Sequence, residues 1–417
     1  MLSDLRFVTW RVAIAALITC CLFSAAAQGR ELDDQPYLIL ISLDGFRWDY
    51  IDRFPTPAID ALASHGVKAE ALLPVFPTLT FPNHYTIATG LYPARHGIIA
   101  NRFRSRENGD WFIHKQKATA QDGHWYKGEP LWVAAENAGI RTASFYFVGS
   151  EADIRGVQPA DWRAYDKSVG GDARVRQVLN WLKRKPTRRP HLITLYFEDV
   201  DDYSHWYGPD SPENAAAVER VDGYLTALIS GIDELPFADQ VSIVLVSDHG
   251  QGSFNLDSKA LVLDELLDLS GTSPVDGQSY VFLYLDEPDV KRATAIRDRI
   301  NEVWTCGNAY LPDDTPPAWM VRENPDFADV LIIADPGCAV ISSMDQSRKI
   351  TRGDHGWPPE MPEMAGIFIA AGPRLPRGMN IGPVRSVDLY PLLMRLLGLE
   401  PNEDVDSQAD KLLELLQ

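Results

Sequence analysis

Five short runs of apolar, β-forming residues punctuate this chain, at 37–42, 142–147, 192–197, 241–246 and 366–371, each followed by small or charged residues. The runs are continuous rather than alternating, which suits strands covered on both faces. Helical patterns fall between them at 58–64, 130–138, 175–183 and 214–232, and 387–397 reads as a late helix packing on the same sheet. This alternation predicts an α/β fold with a mostly parallel central sheet and helices on both faces. The stretch 252–347 interrupts the pattern with a Pro-rich segment at 311–317 and a further strand-like run at 280–285. It reads as a smaller α+β insertion or cap within the same domain, and the acidic stretch 402–410 reads as a solvated terminus.

The first 27 residues stand apart. Arg6 and Arg11 make a basic start, 12–23 is an uncharged apolar run, and Ser24-Ala25-Ala26-Ala27 supplies a small-residue exit. Together they read as a cleaved signal peptide, so the mature chain, 28–417, is expected to be secreted or periplasmic. The apolar run is short of the ~20 residues a spanning helix needs, so no stable membrane anchoring is expected. Of the four cysteines, only Cys306 and Cys338 then remain. In an exported chain they are expected to form a disulfide worth about 3 kcal/mol. A formal net charge of −19 argues against bulk nucleic acid or an anionic membrane as a partner. An anionic substrate would therefore need local positive charge, and a bound metal is the obvious source.

In open α/β sheets, ligands collect outside the carboxyl ends of the strands. After the first run comes Leu43-Asp44-Gly45, and after the third a segment containing Asp201 and His205. The fourth is followed by Ser247-Asp248-His249-Gly250, and Gly353-Asp354-His355-Gly356 comes late. Each segment alone also fits a turn or a surface pair. As a set, three His and three Asp suit two zinc sites of about three protein ligands each. Residues 76–85 read as a loop turning into a helix through 86–90, with Thr80 as N-cap and Pro82 in the first turn. Capping alone would explain Thr80. The same placement puts its hydroxyl in positive potential beside free N–H groups, where a nucleophile attacking phosphorus gains most.

Several longer segments resemble one family. Pro77-Thr78-Leu79-Thr80-Phe81-Pro82-Asn83-His84-Tyr85, Thr89-Gly90-Leu91-Tyr92-Pro93, His96-Gly97-Ile98-Ile99-Ala100-Asn101 and Trp125-Tyr126-Lys127-Gly128-Glu129-Pro130-Leu131-Trp132 are similar to nucleotide pyrophosphatase/phosphodiesterases of the alkaline phosphatase superfamily. So are the Asp201 to His205 segment with Gly208-Pro209, Ser247-Asp248-His249-Gly250 and Gly353-Asp354-His355-Gly356, and the match spans about residues 36 to 400. The resemblance implies two Zn²⁺ per chain, one on Asp201, His205 and His355, the other on Asp44, Asp248 and His249 with Thr80 as nucleophile. It implies that Asn101 joins the Thr80 backbone N–H on a phosphate oxygen, and that Phe81 and Tyr196, with Ile113, form the nucleobase pocket. The implied reaction is hydrolysis of a nucleotide or other small phosphodiester or pyrophosphate, such as ATP to AMP and pyrophosphate, through a threonyl-nucleotide intermediate. No oligomeric state is implied.

There are departures from the family pattern. Leu79 stands where many animal members carry Lys, and Val200-Asp201-Asp202-Tyr203 replaces a Pro-Asp-Ser-Ser run while keeping Asp201 and His205 in register. The Cys-rich N-terminal modules and C-terminal nuclease-like domain of animal members have no counterpart, so a compact bacterial-type version is expected. Three other readings stand beside this one: a choline-type phosphodiesterase, a phosphomonoesterase or sulfatase of the same superfamily, and a non-catalytic secreted binding protein. Thr80 cannot mature to the formylglycine of a sulfatase, and Asn101 is neutral where monoesterases often use Arg or a third metal.

Overall fold

The computed structural model of the chain describes residues 35–255, 260–347, 350–408 and 410–416; the segment 1–27, read above as a signal peptide, lies outside them. Each continuous apolar run becomes a strand with cover on both sides. In β1 (Tyr37–Leu43), Leu38 and Leu40 join one apolar cluster while Tyr37, Ile39, Ile41 and Leu43 join another, because successive side chains point to opposite faces. The strands that follow are β2 (Val67–Ala69), β3 (Thr142–Phe145), β4 (Asp161–Arg163), β5 (Leu192–Phe197) and β6 (Val241–Val246). After them come β7 (Thr272–Asp276), β8 (Tyr280–Leu285), β9 (Gly307–Tyr310), β10 (Val330–Ala334), β11 (Phe368–Ala371) and β12 (Met379–Ile381).

Eight of these form one sheet in the order β12-β2-β11-β6-β1-β5-β3-β4. Its pairs are parallel except that β11 runs against both β6 and β2. The fold class is therefore α/β with a mostly parallel sheet. Three short edge-region strands, β2, β4 and β12, join it without a clear apolar signature of their own. The run at 142–147 stops as a strand at Phe145, because Tyr146 takes φ 71°.

The principal helices are α1 (Pro57–Ser64), α2 (Thr80–Thr89), α3 (Leu131–Asn137), α4 (Gly171–Leu182), α5 (Asp199–Tyr207), α6 (Pro212–Asp233), α7 (Val290–Val303) and α8 (Leu389–Leu396). Side chains of α2, α3 and α8 cover one face of the sheet, and those of α1, α4 and α6 cover the other. Local chemistry sets several ends. Ser211 caps α6 through the Asn214 N–H with Pro212 at the first turn, and Gly90 closes α2 in the left-handed region at φ 68°.

Between β6 and β11 the chain builds a second, antiparallel sheet in the order β7-β8-β10-β9. One face packs on α7 through Val281, Leu283, Ile296 and Ile300. The other face sends Tyr280, Phe282 and Tyr284 into the main core, where Phe76 stacks on Trp319 at 4.1 Å. A Cys306–Cys338 disulfide clips this region, with the Cα atoms 6.1 Å apart.

Candidate metal centre and nucleophile

Because β6, β1 and β5 are neighbours, their carboxyl ends deliver Asp248-His249, Asp44 and helix α5 to one rim. The turn after β1 depends on Gly45: its φ is +66°, and a Cβ there would lie 3.0 Å from the Asp201 Cα. His355 arrives from outside the main sheet, just after Gly353–Asp354 pairs with Gly252–Ser253. Thr78 fixes it. The Thr78 hydroxyl donates to the Trp357 carbonyl (2.7 Å) and accepts from the Gly356 N–H (2.9 Å), while the Thr78 carbonyl accepts from His355 Nδ1 (2.8 Å).

Among the described residues, two groups bring ligand atoms within 4.8 Å of one another: Asp201, His205 and His355, and Asp44, Asp201 and His249. Asp201 belongs to both, whereas the sequence reading gave it to one. Asp248 lies at the second group as well, its Oδ2 3.1 Å from His249 Nε2, while Asp44 Oδ1 is 3.4 Å from that nitrogen. In the first group His205 Nε2 is 3.4 Å and His355 Nε2 3.8 Å from Asp201 Oδ1.

The donor set fits metal ions. Every histidine uses Nδ1 on a backbone carbonyl: His205 on Gly353 (2.9 Å), His249 on Gly250 (2.9 Å) and His355 on Thr78 (2.8 Å). A carbonyl only accepts, so Nδ1 carries the proton and Nε2 faces the cluster as a potential ligand. Asp44 Oδ1 and Asp248 Oδ2 are buried without a hydrogen-bond partner, an arrangement that is costly for carboxylate oxygens unless a cation meets them.

Electrostatics agree. Burial, with Asp248 and Asp201 close by, pushes the Asp44 carboxyl well above its usual range. Burial would do the same to Asp248, yet His249 and His84 hold it well below. Burial would lower His205, but Asp201 and then Asp354 raise it to about 9. Burial beside His249 pushes His355 down to about 3. Carboxylates and imidazoles this close together shift one another in opposite directions, as expected of a donor set that converges on shared positive charge.

Thr80 is not the N-cap. Leu79 takes that position with extended backbone, α2 begins at Thr80 itself, and the side chain makes no capping bond. The Thr80 hydroxyl instead lies 3.4 Å from His249 Nε2. Asn101 Oδ1 accepts from the Phe81 N–H at 3.0 Å, which leaves its NH₂ as the free donor. Phe81 is half-buried, with His114 5.2 Å from its ring. Ile113, the preceding residue, is half-buried in a hairpin that pairs it with Arg102, next to Asn101. Tyr196 is 8% exposed, and its hydroxyl donates to Asp44 Oδ2 at 2.5 Å. The exposed ring nearby is Tyr165 (41%), 6.4 Å from Tyr196. Tyr165 follows a short polar strand, so no apolar or motif signal marks it in the sequence. Gln251, directly after Ser247-Asp248-His249-Gly250, donates from Nε2 to Asp201; its place beside that motif was the signal available in the sequence.

Residues 38–358 match the family described as type I phosphodiesterase / nucleotide pyrophosphatase. The chain belongs to this family. As a member of the phosphodiesterase family it is 33% identical over 394 residues to an uncharacterized pyrophosphatase/phosphodiesterase of Schizosaccharomyces pombe, covering 88% of this chain and 78% of that one. It is 32% identical over 379 residues to human ectonucleotide pyrophosphatase/phosphodiesterase family member 1. That match covers 88% of this chain but 40% of the human protein, so the chain spans less than half of that relative's length. Among solved structures, murine ectonucleotide pyrophosphatase / phosphodiesterase 5 superimposes with a TM-score of 0.85 at 28% identity, covering 92% of this chain and 100% of that one. An inactive threonine-to-alanine variant of the murine protein, in complex with AMP, gives the same TM-score at 27% identity and the same coverage. Among the described residues of this family member, no helix is long and apolar enough to cross a membrane.

Proposed function

We propose that this chain is an exported phosphodiesterase/pyrophosphatase, a single catalytic domain over 28–417. It would cleave the phosphodiester or pyrophosphate bond of a small nucleotide and release a nucleoside 5′-monophosphate. The observation that carries this reading is the Thr80 hydroxyl at a helix start, 3.4 Å from a histidine nitrogen on which buried carboxylates converge. The AMP bound to the murine relative supports a nucleotide over a choline ester.

Two zinc ions, one on Asp201, His205 and His355 and the other on Asp44, Asp248, His249 and Thr80, would supply Lewis-acid stabilisation of the attacking and departing oxygens. Thr80 Oγ1 attacks phosphorus, and a threonyl-nucleotide forms as the leaving group departs. Water then cleaves the Thr80–phosphorus bond and releases the monophosphate. The Asn101 NH₂ and the Thr80 backbone N–H, one of the N–H groups at the start of α2 without a helical partner, hold a non-bridging oxygen as charge develops on it. Phe81 offers one ring for a base. Tyr165, exposed where Tyr196 is not, offers another.

The test is a zinc-replete panel of a nucleotide diester, ATP, p-nitrophenyl phosphate and a choline phosphoester, run on wild type and Thr80→Ala with product identification. The expected result is a nucleoside 5′-monophosphate from wild type and a loss of about 10³-fold or more in Thr80→Ala with zinc content retained. Preference for the monoester, or turnover surviving in Thr80→Ala, would overturn the reading.

A further inference from the structure

One imidazole outside both ligand groups touches the nucleophile's helical turn, an inner carboxylate and the central strand together. His84 is fully buried on α2, one turn after Thr80. Its Nδ1 is 2.9 Å from the Thr80 carbonyl oxygen and 3.2 Å from Asp248 Oδ2. Its Nε2 is 2.8 Å from Ser42 Oγ on β1. Phe147 and Tyr196 hold the ring edge-on from two sides, with centroids 5.2 and 5.3 Å away.

The partners fix what the ring does. The Thr80 carbonyl only accepts, so Nδ1 carries a hydrogen and presents it to Thr80 with Asp248 Oδ2 alongside. Nε2 then faces the Ser42 hydroxyl, which donates to it in the neutral ring. The ring is fully buried and makes T-shaped contacts with both Phe147 and Tyr196. Thr80 opens α2 and Asp248 follows β6, more than 160 residues away, and the two have no bond to each other among the described contacts. His84 Nδ1 lies against both, hydrogen-bonded to the Thr80 carbonyl and 3.2 Å from Asp248 Oδ2.

From this we infer that His84 is a positioning residue that locks the Thr80 turn to Asp248, so that the nucleophile keeps one register with the ligand group of Asp44, Asp201 and His249. The inference rests on Thr80 being the nucleophile and Asp248 a ligand. Groups that orient metal ligands from behind typically change affinity or activity about 10- to 100-fold when removed.

Three variants test it: His84→Ala, His84→Asn and His84→Gln. An asparagine amide reaches the place of Nδ1 and can still donate to Thr80 and Asp248; a glutamine amide reaches towards Ser42 instead. In His84→Ala, kcat should fall about 10- to 100-fold and zinc affinity, measured by chelator competition on the purified protein, should weaken by a similar factor, while KM stays within about two-fold. His84→Asn should recover most of both losses and His84→Gln neither. Equal impairment of Asn and Gln, or losses that follow melting temperature with zinc affinity unchanged, would overturn the assignment. If His84→Ala does not fold, the Asn/Gln pair decides alone. An inactive wild type would sink the proposed function instead, and the zinc titrations would still report on His84.

Discussion

The two ligand groups share Asp201 but differ in enclosure. In the inner group the side chains of His249 and Asp248 have no exposed surface and that of Asp44 has 2%. In the outer group His205 is 23% exposed, Asp201 16% and His355 8%. The inner group stands on the ends of two adjacent central strands and is backed by Tyr196, His84 and Ser42. The outer group hangs on α5 and on the short pairing of 353–354 with 252–253. On the proposed mechanism this contrast would divide the labour: the enclosed position would fix Thr80, and the open one would let the departing group and water meet solvent.

Four experiments would break or sharpen that contrast. The largest effect should come from chelation. Exhaustive chelator treatment should abolish turnover, with zinc restoring it, and metal analysis over time should show two phases, the outer ion leaving first. A single-phase loss would erase the distinction. Next is pH. His205 is held at about 9 and His249 is also raised, in each case by carboxylates that outweigh burial. A cation must displace those protons, so zinc affinity in calorimetric titrations should strengthen by at least roughly ten-fold per unit as pH climbs from 6.5 towards 9. Flat affinity over that range would refute it. Third, Tyr196→Phe removes the hydroxyl on Asp44 without removing the ring. It should weaken inner-site zinc or lower kcat by about 10- to 100-fold, and nucleotide KM should hardly move; a change in KM alone would mean that the ring meets the base after all. Smallest at the active site should be Cys306→Ser with Cys338→Ser. Losing the clip across 32 residues should cost about 3 kcal/mol of stability in denaturant titrations, while kcat with zinc present stays near wild type.

The sequence makes the central architecture legible for a physical reason. Strands buried on both faces must be continuously apolar, and the Asp and His residues that break those runs therefore stand out at the right ends. Residues 192–197 and 241–246 coincide with β5 and β6. The edge strands β4 and β12, and β2 beside β12, stay hidden because each is three residues long and carries polar, part-exposed positions. Thr80 misleads because its residue type suits a cap, whereas the cap here is the extended backbone of Leu79, which no side-chain rule flags. The sharing of Asp201 depends on how closely α5 approaches Gly45, a tertiary distance with no linear signature. Tyr196 does sit at the site, and its hydroxyl reaches Asp44, a tertiary contact the sequence does not mark.

The segment before Thr80 has a further consequence. Asn83, completely buried, accepts from the Val75 N–H and donates to the carbonyls of Val75, Pro77 and Leu79. A loop stitched down from within spends little of a visitor's contact energy on being ordered, so substrate and product meet the same finished surface. If the proposed reaction holds, such a surface would grip a departing monophosphate almost as readily as the parent molecule, and added monophosphate should compete with substrate.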